Sequence, residues 1–92
     1  MNFPFEEKKI EKKIFLREFK ESINSDELIW HLDREDREIL ILESNGWKLQ
    51  MDNELPKELV RGDTHFIPKM TYNRVIKGNG DLRLRLTKLE DK

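Results

Sequence analysis

The stretch WKLQMD, residues 47–52, decides the fold class. Trp47, Leu49 and Met51 fall on one side of an extended chain and Lys48, Gln50 and Asp52 on the other, the period-two pattern of an antiparallel strand with one face buried. SNG, residues 44–46, stands just before it, and Asn and Gly tolerate the positive φ that tight hairpin turns require. Upstream of that turn, REILILE reads as a strand rich in aliphatic side chains, DRED as a polar break and LIWHL as a further short strand. In KIFLREFK, Phe15, Arg17 and Phe19 share one face while Ile14, Leu16 and Glu18 share the other, so periodicity alone leaves the buried side ambiguous. Downstream, NELPKELVRGD is a loop, THFIP and TYNRVIK are strands, GNGD is a turn, and LRLRLTKL alternates Leu82, Leu84 and Leu86 with Arg83, Arg85 and Thr87.

Seven or eight short strands in so small a chain predict an all-β fold. Their edges must be hidden, which favours a closed barrel or a two-sheet jelly roll of antiparallel strands over an open sheet. Residues 13–92 form this single domain. Residues 1–12 form an N-terminal arm, because FEEKKIEKK is dense in charge, lacks a wide apolar stripe and reads as a frayed first turn or a disordered segment.

Composition narrows the function classes. The chain has 92 residues, with 36% apolar and 40% charged side chains, enough for one small core and no separate catalytic module. Eighteen basic and 19 acidic residues, interleaved to a net charge of −1, do not advertise nucleic acid. Without cysteine there is no disulfide framework, thiolate zinc site or cysteine nucleophile. No run approaches the length of a bilayer span and no signal-peptide h-region is present, so a soluble cytoplasmic protein is expected.

Two spacings carry a resemblance. In residues 62–73, Gly62, Pro68, Met70 and Asn73 fall where the second cupin motif has glycine, proline, glycine and a metal-binding histidine. In HLDREDREILILESNG, residues 31–46, His31 fits the first histidine of the first cupin motif. Asp33 stands at its second histidine, Arg37 at its glutamate and Ser44 at its glycine. The chain thus resembles a small single-domain cupin with degenerate ligand positions. The resemblance implies a cupin-like jelly-roll barrel whose interior, in metal-holding members, presents three histidines and a glutamate to iron, manganese, zinc or nickel.

Transferred by position, the set becomes His31, Asp33, Arg37 and Asn73. A guanidinium stays protonated and donates no lone pair, so Arg37 repels a dication. Glu38 fits an alternative spacing, but a one-residue step along a strand turns its side chain to the opposite face. The leading expectation is therefore a metal-independent binding module with no cofactor. His31, Asp33, Arg37 and Asn73 line its residual pocket, and its partner is a small anionic ligand or a protein.

Two competing classes stand beside it. One is an enzyme dependent on Fe, Mn or Zn, with an altered set of His31, Asp33 and His65 or Glu38. The other is a structural or regulatory dimer with a vestigial pocket; in any class a homodimer is expected, since leftover apolar positions in KIFLREF suggest an intersubunit strand or sheet contact. DREDRE reads as a solvated turn with local ion pairs, and Arg83 with Arg85 as a solvated strand face. Tyr72 and Arg74 are expected to point away from Asn73, and Trp30 and Trp47 to anchor the core or an interface.

Overall fold

Leucine at every second position makes one strand the axis of the molecule. In the computed structural model, which describes residues 3–89, Leu82, Leu84 and Leu86 are fully buried while Arg83 and Arg85 face solvent. This strand, β8 (Leu82–Lys88), is paired on both sides, by β2 (Ile14–Phe19) and by β3 (Arg37–Glu43). With β1 (Glu6–Glu11) and β6 (Thr64–Ile67) at its edges it forms a five-stranded sheet in the order β1-β2-β8-β3-β6. Strands β4 (Lys48–Met51), β5 (Lys57–Glu58) and β7 (Asn73–Ile76) make a second sheet in the order β5-β4-β7. Every pairing among the described residues is antiparallel, so the two-sheet form of the expected all-β fold is the one adopted.

The core fills the space between the sheets. Phe19, Ile39, Ile41, Ile67 and the three leucines come from the larger sheet and its strand ends, and Leu49 comes from the smaller one. Trp47 leads into β4, with no exposed surface. At roughly 2 kcal/mol for each fully buried aliphatic or aromatic side chain, this apolar contact is the main stabilising term. The indole N–H of Trp47 donates to the carbonyl of Gly80 at 3.1 Å, so burial leaves its polar group satisfied. Beneath it two turns meet: a Cβ on Gly78 would lie 2.4 Å from the Trp47 nitrogen, and only glycine allows that approach. Gly46 in the preceding turn has φ 80°, as the SNG signal predicts.

Four local expectations change. The charged segment 6–11 is neither frayed nor helical; it is strand β1, hydrogen-bonded to β2 in the register Glu7↔Arg17 and Lys8↔Leu16. All six of its residues are exposed, the composition of an edge strand guarded by charge, and such a strand shows no alternation to read. LIWHL is not a strand. It contributes one isolated bridge, His31↔Asn73, following a single 3-10 turn at Ser25–Glu27. The loop NELPKELVRGD contains the two-residue strand β5. Finally, DREDRE is not wholly a solvated turn: Arg34 and Glu38 are exposed, but Asp33 is 5% exposed and Arg37 opens β3 with its side chain turned inward. No helix among the described residues is long and apolar enough to cross a membrane.

Candidate functional site

The chain crosses between the sheets where the His31 bridge meets β7. His31 N donates to Asn73 O at 3.0 Å and Asn73 N to His31 O at 2.9 Å, which pins the segment before β3 against the small sheet. Asn73 is 2% exposed. Its side-chain amide donates toward Asp33 Oδ2 at 3.3 Å and Thr71 O at 3.1 Å, with His31 O at 3.4 Å. Arg37 Nη1 lies 3.2 Å from Asp33 Oδ1, and Nε donates to Glu35 Oε2 at 2.7 Å. The imidazole Nε2 of His31 is 3.7 Å from Asp33 Oδ1, and its ring is half exposed. The four residues matched by spacing are thus brought together around the Asp33 carboxylate. Burial works to raise the Glu35 carboxyl, but the hydrogen bond and charge of Arg37 outweigh it and hold the group below its ordinary value.

This cluster forms one end of a cavity of about 70 Å³ between the sheets. Its remaining wall is largely apolar, with Phe5, Phe19, Ile39, Val75 and Leu86 among its members. Ile29 and Glu27, both exposed, mark its open side. Arg17 lines the cavity as well, and the positional reading missed it. KIFLREF places Arg17 between Phe15 and Phe19 on one face, but only the pairing of β2 with β8, Arg17 opposite Leu84, makes that face the inner one. Its guanidinium stacks 3.8 Å over the Phe5 ring and pairs with Glu7 across the β1/β2 ladder at 2.6 Å.

The donor set does not fit a divalent cation. A guanidinium sits against the one buried carboxylate, and the Asn73 amide turns its N–H groups toward the same acid. Glu38 is exposed on the outer face of β3, as the one-residue step requires. His65 lies opposite Ile39 in the β3/β6 ladder and does not line the cavity, so the trio of His31, Asp33 and His65 is not assembled. Among the described residues no three His, Asp or Glu side chains gather in a way that could hold a metal ion. The Nε2 of His65 is enclosed without a hydrogen-bond partner; burial lowers its pKa, with the charge of Asp63 opposing.

Other expectations place cleanly. Arg74 stacks 4.7 Å over Trp30 and donates to Gln50, away from Asn73, and Tyr72 is half exposed. Trp47 is core and Trp30 is not, being 39% exposed. Arg83 sits on the outer face between Glu18 and Glu43. The motif position occupied by Met70 keeps a left-handed backbone, φ 59°, where the resemblance implies glycine, and Met70 N donates to Asp33 O at 2.8 Å. The loop geometry of the motif therefore survives a side chain that strains it.

No protein-family model and no curated protein sequence matches the chain. Solved structures do. A cupin domain from Bordetella pertussis Tohama I superposes with a TM-score of 0.62 at 12% identity, over 99% of this chain and 99% of that one. An RmlC-like cupin family protein with a double-stranded β-helix fold, from Methanocaldococcus jannaschii, gives 0.67 at 13%, over 91% and 76%. The DMSP lyase DddQ from Ruegeria pomeroyi gives 0.64 at 15%, over 87% of this chain and 40% of that one. Likeness at such identities speaks for the backbone alone, and together with the two facing antiparallel sheets it shows that this chain has the cupin-type jelly-roll fold.

Proposed function

We propose that this protein is a metal-independent binding module whose interior cavity receives a small anionic molecule with a short apolar body. The observation that carries this reading is the cavity's lining. An aliphatic and aromatic wall ends in a polar cluster, and within the buried lining two guanidinium groups, Arg17 and Arg37, face one carboxylate, Asp33. Glu7 and Glu35 pair these arginines from partly exposed positions, so an incoming anion gains a guanidinium's charge where it replaces such a carboxylate, and a largely apolar wall limits competing water. A cavity of about 70 Å³ is roughly half the volume of one that takes up benzene, so its occupant has about three to five heavy atoms. Short-chain carboxylates have that size and chemistry. His31 at the cluster's exposed edge supplies a further polar contact, while Asp33, itself held by Asn73, and Glu35 keep Arg37 in place.

The fold neighbours include a lyase, and the competing reading is an enzyme that uses a divalent metal. Two measurements on protein purified without chelator or affinity metal separate the classes. Thermal denaturation with formate, acetate, propionate and butyrate, against sodium chloride of equal ionic strength, shows protection by the carboxylates if the cavity is an anion site. Elemental analysis then shows no stoichiometric iron, manganese or zinc. Stoichiometric metal lost on His31→Ala sinks the binding-module reading, and so does the absence of protection across the panel.

A further inference from the structure

The two arginines of the cavity are neutralised from different places. Arg37 is flanked by Asp33 and Glu35, both in the loop that leads into its own strand. Arg17 has Glu7, which belongs to edge strand β1. Both Arg17 Nε, at 2.8 Å, and Nη2, at 2.6 Å, converge on the single oxygen Oε2 of Glu7. The Arg17 side chain is 13% exposed and that of Glu7 29%. Burial pushes the Arg17 guanidinium below its ordinary value, and the hydrogen bond and charge of Glu7 work against that push. Strand β1 exposes all of its own residues, so it is fastened by its ladder to β2, by this ion pair and by Phe5 just before it. Phe5 packs against Phe19 at 5.4 Å between centroids, and with Pro4 it forms part of the cavity wall.

We propose that Arg17 is the group that receives the ligand's carboxylate, that Glu7 occupies it in the free protein as an intramolecular stand-in, and that β1 is the gate released on exchange. This rests on the reading of the cavity as an anion site and names the ligand class as short-chain aliphatic monocarboxylates. The exchange replaces one carboxylate by another, so the buried guanidinium is never left unpaired, which is the costly condition. Glu7 is already partly in water and returns to it at little cost. Asp33 has no such freedom, because it is buried and held by Arg37, Asn73 and the loop around it. When Glu7 leaves, β1 loses the ion pair that helps to fasten it, and Phe5 and Pro4, carried just ahead of β1 in the cavity wall, are freed to move aside and admit the ligand.

Glu7→Gln tests this with little change of shape. In calorimetric and NMR titrations propionate binds the full-length wild type weakly and binds Glu7→Gln about tenfold tighter, since a charged competitor for the guanidinium has been removed. Propionate also restores the heat stability lost by Glu7→Gln, whereas chloride of equal ionic strength does not. In the wild type it speeds amide hydrogen exchange across residues 6–11. Arg17→Gln abolishes the binding, and if that variant does not fold the Glu7→Gln comparison decides alone. A propionate affinity for Glu7→Gln within twofold of that of the wild type overturns the inference and leaves the anion site standing. Failure of formate, acetate, propionate and butyrate to bind either protein overturns both.

Discussion

Arg37 and Arg17 present the same problem, a guanidinium at an interior cavity, and the fold answers it in two ways. The acids beside Arg37 are two and four residues away in sequence, and Asp33 is also tied to the small sheet through Asn73 and to the 68–71 loop through Met70. That cluster joins three segments and acts as part of the frame. Arg17 is instead matched across a ladder by an edge strand whose residues all face solvent. A cation neutralised from within the frame is fixed, while one neutralised from a peripheral strand is only as permanent as that strand. Motion in this fold therefore belongs on the β1 side of the cavity.

The largest expected effect lies in the frame. Asp33→Ala leaves Arg37 and the Asn73 amide facing a cavity without their shared acceptor, and urea denaturation should show a loss of about 3 kcal/mol. A loss below about 1 kcal/mol would mean that Glu35 alone suffices and that the contrast between the arginines is false. Glu7→Gln should cost less, about 1 kcal/mol by the same method, because the pair is partly exposed and water takes up the slack. If the two substitutions prove equal, β1 belongs to the frame after all.

A smaller effect comes from His65, which belongs to neither arginine and serves as a control. Its pKa is lowered by burial, so the native state favours the neutral ring and the unfolded chain binds the proton more readily. Its contribution is present above the ordinary value of 6.5 and is lost as pH falls below it. Wild type should therefore lose slightly more stability than His65→Gln in that window, seen as a diverging melting temperature. Equal slopes would show the ring to be solvated in solution. The smallest effect is expected outside the cavity. Arg83→Ala removes a half-exposed guanidinium from the outer face of β8, where it pairs with Glu18 and Glu43, and the urea midpoint should move little.

Much of this was legible in the chain. Alternation in residues 47–52 and 82–86 is a local consequence of burying one face of a strand, and both strands formed where the alternation lies. Turn signals at Gly46 in SNG and Gly80 in GNGD rest on backbone sterics and hold with positive φ. The grouping of His31, Asp33, Arg37 and Asn73 followed from motif spacing, because that spacing is set by strand and turn lengths which outlast the identity of the side chains. The charged segment 6–11 was not legible, since an edge strand buries no face and leaves no period to read. Nor was Arg17. Periodicity placed it with Phe15 and Phe19, but only the pairing of β2 with β8 decides that this face is the inner one. From sequence alone, then, the strands that bury one face, their turns and the residues sharing a face could be read, because these depend on neighbours along the chain. The tertiary structure alone decided which face is inside and which distant acid neutralises which arginine, because burial and charge pairing depend on what another strand brings alongside.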